Sequence, residues 1–245
     1  MGTLKSYGWN LWHGCHKYSA GCLNCYVYRS DERHNLDASI VHKTKTFDLP
    51  IQKKKDGTYK IPSGSLVYTC FSSDFLVKDA DAWRSDAWQM MKERQDLKFL
   101  FLTKRIERFL ECIPSDWEDG YDNVAIGCTV ENQEAATIRL PIFNEMPIKH
   151  KIIICEPLLE ELDLTPYLKT TFEQIVVGGE SGTKARLCRY DWVLKLKQQA
   201  DVFKIPFYFK QTGAHFEKDG KVYIIKRMYQ HSQAAKSGLT NCELR

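Results

Sequence analysis

Residues 152–156 read Ile152-Ile153-Ile154-Cys155-Glu156, an apolar run that ends in a carboxylate. Runs that do not alternate apolar with polar residues are typical of strands buried on both faces, as in a parallel sheet covered by helices. Comparable runs recur along the chain at intervals of roughly 25–30 residues. They comprise residues 66–71, 99–103, 124–128, 175–178 and 207–209, with an earlier candidate at residues 6–9.

The segments between these runs have the composition and spacing of helices. Helices are predicted over residues 81–95, 106–112, 131–144 and 190–202. Alternating strands and helices of this length predict an α/β fold with right-handed crossovers, either a parallel barrel or an open sheet. We expect a partial parallel (β/α) barrel of about six to seven strands.

Two segments break this alternation and carry turn signals. Asp56-Gly57 lies within residues 43–62, and Asp219-Gly220 lies in the C-terminal region. Such dipeptides predict small appended hairpins. We therefore predict one barrel-like domain over residues 1–213 with a hairpin-like insertion at about 43–62, followed by a C-terminal hairpin and polar tail over 214–245.

Composition narrows the class of protein. The 245 residues are 43% apolar and 27% charged, which is ordinary for a globular protein. No apolar run approaches the roughly 20 residues that span a bilayer, so we expect no membrane association. Nine cysteines without a secretion signal predict a reducing, cytoplasmic location. The net charge of +4 permits a polyanionic partner without indicating one.

Polar residues cluster directly after the predicted strands. Because active sites of parallel α/β barrels form at the C-terminal ends of the strands, these residues are expected to meet on one rim. The charged members of the rim are Asp74, Lys104, Arg105, Glu131, Glu156, Glu180 and Lys210.

Three cysteines, Cys15, Cys22 and Cys25, follow the first candidate strand. Three thiolates so close in sequence can bind a metal or an iron–sulfur cluster, and on a four-iron cluster they leave one iron open. A structural zinc site needs four ligands, which only His13 or His16 could complete locally. His16 directly follows Cys15 and crowds tetrahedral coordination. The pattern favours an open cluster site over zinc or reactive thiols.

The segment Gly178-Gly179-Glu180-Ser181-Gly182 follows a predicted strand. Its glycines would allow a ligand to approach the backbone, and Glu180 could accept from an amine or from ribose hydroxyls. A tight turn is the alternative interpretation.

Glu156 needs a partner if it is buried. That partner is either a base or ligand amine, or a cation such as Lys104, Arg105 or Lys210 in a structural salt bridge. Cys70, Cys128 and Cys155 fall at strand ends, where packing is favoured over a second cluster.

Eight stretches carry a resemblance to a known family: residues 8–15, 19–26, 73–75, 102–105, 123–132, 155–159, 177–182 and 206–211. Together they resemble a phage- and bacteria-associated family described by its three-Cys motif, a divergent branch of the radical S-adenosylmethionine proteins. The cysteine spacing is C-x6-C-x2-C, compared with C-x3-C-x2-C in the common radical pattern.

The resemblance implies a barrel of the radical S-adenosylmethionine type. Cys15, Cys22 and Cys25 would bind three irons of a [4Fe–4S] cluster, and S-adenosylmethionine would chelate the fourth. Reductive cleavage of S-adenosylmethionine would yield a 5′-deoxyadenosyl radical that modifies a substrate. The residues expected to contact the cofactor are Gly178, Gly179, Glu180, Ser181, Glu156, Glu131, Lys104 and Lys210.

This enzyme would need an electron donor. A nucleic-acid or nucleotide substrate is favoured, because Lys104, Arg105 and Lys210 give the rim positive charge and the resemblance is to phage-associated proteins. Two alternatives remain open. One is a non-radical iron–sulfur or zinc-binding protein that interacts with nucleic acid, and the other is an enzyme that uses the open iron as a Lewis acid.

Overall fold

The structure, a computed structural model, describes residues 5–242 of the chain. The strands within this range are β1 (Ser6–Trp9), β2 (Trp12–His13), β3 (His42–Lys43), β4 (Leu66–Thr69), β5 (Lys98–Thr103), β6 (Val124–Thr129), β7 (His150–Cys155), β8 (Phe172–Gly178), β9 (Leu187–Arg189), β10 (Phe207–Gln211), β11 (His215–Lys218) and β12 (Lys221–Ile224). The α-helices are α1 (Tyr26–Arg33), α2 (Asp81–Glu93), α3 (Phe109–Cys112), α4 (Gln133–Glu145), α5 (Tyr190–Val202) and α6 (Arg227–Lys236).

Seven strands form one parallel sheet in the order β1-β4-β5-β6-β7-β8-β10, and the sheet curls into a half-barrel. This confirms the predicted α/β class and the partial barrel of six to seven strands. Each apolar run named above lies within or overlaps one of these strands, and α5 has the bounds predicted for it. The agreement follows from burial, because strands packed on both faces are apolar throughout.

The two faces of the sheet pack differently. Phe99 on β5 pairs with Val67 on β4 and Val124 on β6, and this row belongs to the large core that the helices cover. The opposite face carries a smaller apolar cluster of Leu66, Leu100, Ile152, Ile154 and Val176. Helix residues are absent from that cluster among residues 5–242, so this face lines the inside of the half-barrel.

Both predicted hairpins are present. In the insertion, Lys53 bridges Tyr59 in antiparallel fashion across the Asp56-Gly57 turn. Near the C-terminus β11 and β12 pair across Asp219-Gly220, and β11 also pairs with β9 to form a three-stranded sheet.

The chain after the second hairpin differs from the predicted polar tail. Residues 227–236 form α6, which packs beside β10 and buries Gln230 and Ala234. Because only these two residues of α6 are buried, the sequence of the segment is mostly polar although the segment forms a helix. Residues 243–245 of the predicted tail lie outside the described residues. No helix within residues 5–242 has the length and apolar character needed to cross a bilayer.

Candidate functional site

The three cysteines lie on one segment, here called the cysteine loop (residues 14–25), between β2 and α1. Their thiols are free and half-buried. The loop begins at Gly14, which has φ of +89°, a conformation that favours glycine. A Cβ at Gly14 would lie 2.3 Å from the carbonyl oxygen of Ile40. Glycine therefore allows the loop to pass against the segment that precedes β3.

Glu131, just after β6, holds the middle of the cysteine loop. Its buried carboxylate accepts hydrogen bonds from the Ser19 hydroxyl and from the Gly21 N–H, the latter at 3.1 Å. The Arg139 guanidinium donates to its other oxygen at 2.8 Å. Burial raises the pKa of Glu131, but the charges of Arg139 and Lys104 and the loop hydrogen bonds outweigh burial and lower it overall. Both oxygens of the Glu131 carboxylate therefore accept hydrogen bonds from groups of the protein itself.

Glu180, after β8, holds the end of the same loop. It accepts a hydrogen bond from Asn24 Nδ2 at 3.0 Å and two from the Arg186 side chain at 2.9 and 2.5 Å. Arg186 also donates to the carbonyl oxygen of Ala20 at 2.9 Å. Burial raises the pKa of Glu180, while these hydrogen bonds lower it by more. Glu180 and Arg186 together bind the loop at two points.

Arg105, after β5, holds the start of the loop. It pairs with Asp74 at 3.0 Å and donates to the carbonyl oxygen of His16 at 2.6 Å. Its Nη1 atom lies 3.7 Å from Cys15 Sγ. Burial raises the pKa of Cys15 to about 11, and the Arg105 charge opposes that rise by favouring the thiolate.

Sequence reasoning placed Glu131 and Glu180 on the rim but missed their partners. Arg139 and Arg186 carry no motif, and nothing in the sequence pattern distinguishes them from surface arginines. The two tyrosines that follow Cys25 were also missed. The hydroxyl of Tyr28 donates to the Cys15 carbonyl, and that of Tyr26 donates to the Phe71 carbonyl.

The two histidines considered as a fourth ligand are engaged elsewhere. His13 Nε2 lies 2.7 Å from Asp31, and His16 Nε2 lies 2.9 Å from Asp79. Both contacts use Nε2 of the imidazole, whereas Nδ1 can also bind a metal, and metal-bound histidines commonly contact a carboxylate through their other ring nitrogen. The geometry is therefore compatible with an open site and with a site closed by one histidine.

The thiols match an iron–sulfur ligand set in number, in freedom from disulfides and in their shared loop. Within residues 5–242, no three His, Cys, Asp or Glu side chains are grouped closely enough to hold a metal ion. Cys22 and Cys25 are nonetheless near enough to raise the pKa of Cys15. Binding of a cluster therefore requires the three thiols to converge further.

A cavity of about 330 Å³ opens on the inner face of the half-barrel. Glu156 and Lys210 pair across it at 2.8 Å, and Gln211 also donates to Glu156. This is the salt bridge that the sequence offered as one alternative for Glu156. Burial lowers the pKa of Lys210, but Glu156 raises it by more. The remaining lining residues are Tyr68, Phe71, Leu100, Leu102, Ile154, Val176, Tyr208 and His231.

The glycines after β8 are explained by contacts within the chain. A Cβ on Gly178 would lie 2.9 Å from the Glu156 side chain, and one on Gly179 would lie 2.2 Å from the carbonyl oxygen of Thr212. Ser181 contacts Arg29 at 3.4 Å. Neither glycine lines the cavity, so the contacts favour the tight-turn interpretation of this segment.

The cysteines at the strand ends are packing residues. Cys70, Cys128 and Cys155 are buried in the core beneath the helices. Burial raises the pKa of each thiol, that of Cys128 to about 12, which keeps them neutral. Their surroundings favour packing over a second cluster.

Comparison with known protein families places this chain in a family. A family model described as "Protein of unknown function (DUF5131)" matches residues 4–240, nearly the whole chain. No curated protein and no solved structure matches the chain.

Proposed function

Since this chain belongs to the DUF5131 family of proteins of unknown function, we propose a function from its own site: an iron–sulfur enzyme of the radical S-adenosylmethionine kind. Cys15, Cys22 and Cys25 would hold a [4Fe–4S] cluster, and S-adenosylmethionine would complete its fourth iron. The proposal rests on the cysteine loop, which carries three free thiols. Hydrogen bonds with Arg105, Glu131 and Glu180 hold this loop at the C-terminal ends of the strands of the half-barrel.

The chemistry that a bound cluster and S-adenosylmethionine would bring is one-electron cleavage of a carbon–sulfur bond, giving methionine and a 5′-deoxyadenosyl radical that takes a hydrogen atom from a substrate. The electron would come from an external donor. The cysteine loop supplies three thiols, so a four-iron cluster bound there would keep one iron open for S-adenosylmethionine.

The chain's own residues have two tasks in this proposal. Glu131 and Glu180 fix the loop so that the thiols stay at the rim. The cavity reaches the end of the cysteine loop through Phe71, whose carbonyl accepts the Tyr26 hydroxyl, and it is mainly apolar, which would exclude water from a reactive ligand. Glu156 and Lys210 give it one acceptor and one ammonium donor for the polar groups of that ligand.

The substrate class proposed is a nucleic acid or nucleotide. A cavity lined by Tyr68, Phe71 and Tyr208 offers flat apolar surfaces, and ring contacts such as Tyr68 with Phe71 at 5.2 Å suit the stacking of a planar base.

Anaerobic purification followed by iron, sulfide and zinc analysis tests the cluster. We expect about four irons and four sulfides per chain in the wild type, and loss of most of both in Cys22→Ala. Cys242→Ala is the matched control, since Cys242 is also half-buried but lies outside the cysteine loop. A colourless wild-type protein that carries one zinc overturns the proposal.

A further inference from the structure

The most exposed apolar surface lies on the C-terminal hairpin and the start of α6. Among residues 5–242, five of the thirteen large exposed apolar side chains fall within residues 222–229. They include Ile224 at 82% exposure and Met228 at 74%. The others in this segment are Val222, Tyr223 and Tyr229. A concentration of this kind marks an interaction surface.

Four cations are interleaved with these side chains: Lys218, Lys221, Lys226 and Arg227. All four are exposed, and none forms an ion pair with a carboxylate inside the described range 5–242. Of the two nearby carboxylates, Glu217 is paired with Arg189 at 3.1 Å and Asp219 is exposed in the turn between β11 and β12. Four cations against this one carboxylate leave the surface positively charged as well as apolar, which complements a polyanion.

Aromatic rings stand among the cations. Lys221 Nζ lies 5.2 Å from the centroid of the Tyr223 ring, and Lys218 Nζ lies 4.7 Å from that of Tyr190. Lysines at an edge strand such as β12 can also serve to prevent edge-to-edge pairing. That role would explain Lys218 and Lys221 but leaves the exposure of Tyr223 and Ile224 unexplained.

This surface adjoins the cavity. The carbonyl of Phe71, which lines the cavity, accepts a hydrogen bond from the hydroxyl of Tyr26, and Tyr26 directly follows Cys25. His231, one turn along α6 from Arg227, lines the cavity. A chain bound along the hairpin would thus reach both the cavity and the cysteine loop.

We propose that the hairpin β11–β12 and the first turn of α6 bind single-stranded nucleic acid, with phosphates on the cations and a base stacked on Tyr223. Lysine is depleted at the centre of protein–protein interfaces, whereas cations beside aromatic rings are what single strands require. The delivery of that strand to the cavity rests on the proposed function. Binding itself does not.

Fluorescence anisotropy with labelled single-stranded DNA and RNA of about 20 nucleotides, longer than a typical single-strand site, tests this surface. With four phosphate contacts we expect log K to fall with log salt at a slope of about −3, and Lys221→Gln to flatten that slope by about 0.7. Tyr223→Ala should weaken binding about 5- to 100-fold, and Tyr223→Phe should restore it, because a stacked ring is what contributes.

Lys53→Gln is the matched control, since Lys53 also lies over a tyrosine ring, at 5.2 Å from Tyr59, but in the other hairpin. It should leave binding unchanged. Unchanged binding of nucleic acid in both Tyr223→Ala and Lys221→Gln overturns the inference. A second result would also overturn it: a wild-type protein that dimerises through this surface, with Ile224→Lys restoring the monomer.

The two proposals fail separately. Binding that survives in Cys22→Ala supports the hairpin surface even if no cluster forms. A full cluster in a protein that binds neither DNA nor RNA overturns the hairpin surface alone.

Discussion

The carboxylate of Glu131 accepts a hydrogen bond of 3.1 Å from the backbone N–H of Gly21, 110 residues earlier in the chain. A Cβ at position 21 would lie 3.1 Å from the carboxylate carbon, so glycine allows this approach. Residues at the end of β6 thereby position the loop that carries Cys15, Cys22 and Cys25. The barrel and the cysteine loop are one structural unit through contacts of this kind.

Glu131→Ala should lower the free energy of unfolding by about 3–5 kcal/mol, because it leaves the buried Arg139 guanidinium without its partner. Urea unfolding followed by tryptophan fluorescence measures the change. Glu173→Gln removes an exposed carboxylate that contacts His150, and it should stay within about 0.5 kcal/mol of wild type. Equal stability of Glu131→Ala and wild type would contradict the anchoring role.

Arg186→Gln should loosen the cysteine loop without unfolding the barrel. Loss of its two charged side-chain hydrogen bonds to Glu180, each contributing about 1.5 kcal/mol, should raise local opening by about two orders of magnitude. Alkylation of Cys22 by iodoacetamide, mapped by mass spectrometry, reports that opening.

Arg189→Gln controls for the Arg186 experiment, since Arg189 pairs with Glu217 away from the loop. An equal rise of alkylation at the core residue Cys128 would show global unfolding and contradict a local role for Arg186.

Gly179→Ala should destabilise the protein by about 1–3 kcal/mol or more, since the added methyl group would lie 2.2 Å from a backbone oxygen of Thr212. Gly8→Ala meets no atom within 4 Å and should be neutral or slightly stabilising. Thermal unfolding of the two variants compares them directly. A stable Gly179→Ala protein would remove the packing explanation for the glycines after β8.

Stability should fall in acid through Asp96. Hydrogen bonds from Arg94 lower the pKa of Asp96 to about 2 from the ordinary 3.8, and burial opposes them in part. Because the unfolded chain binds this proton more tightly, the contribution of Asp96 is present above about pH 4 and is lost as the pH falls towards about 2.

Urea midpoints measured between these pH values should therefore fall less steeply in Asp96→Asn than in wild type. Asp86→Asn, an exposed carboxylate 3.8 Å from Lys43, should follow the wild-type profile. Parallel profiles for wild type and Asp96→Asn would contradict the assignment.

Local sequence predicted the seven strands of the main sheet and the helices α2 to α5, but not α1. Runs such as 152–155 are apolar on both faces because helices cover one side of the sheet and the half-barrel encloses the other. The same signal could not predict α6, which buries only Gln230 and Ala234.

The pairing of rim residues was beyond local sequence. From the sequence, Glu180 is interpreted as a ligand-binding residue. In the structure, Arg186 and Asn24 donate hydrogen bonds to its carboxylate. These partners come from segments that are distant in sequence and meet only in the folded protein. A single arginine outside any motif does not indicate which segment it will contact. Glu156 differed, since the need to pair a buried carboxylate already suggested a cation, and Lys210 was one of the three candidates.

The central claim is that the cysteine loop supports reductive cleavage of S-adenosylmethionine. Incubation of the anaerobically reconstituted protein with dithionite and S-adenosylmethionine, followed by chromatography, measures 5′-deoxyadenosine. We expect 5′-deoxyadenosine in wild type and in Cys242→Ala, and none above background in Cys22→Ala. A wild-type protein that carries its cluster and forms no 5′-deoxyadenosine would contradict this claim.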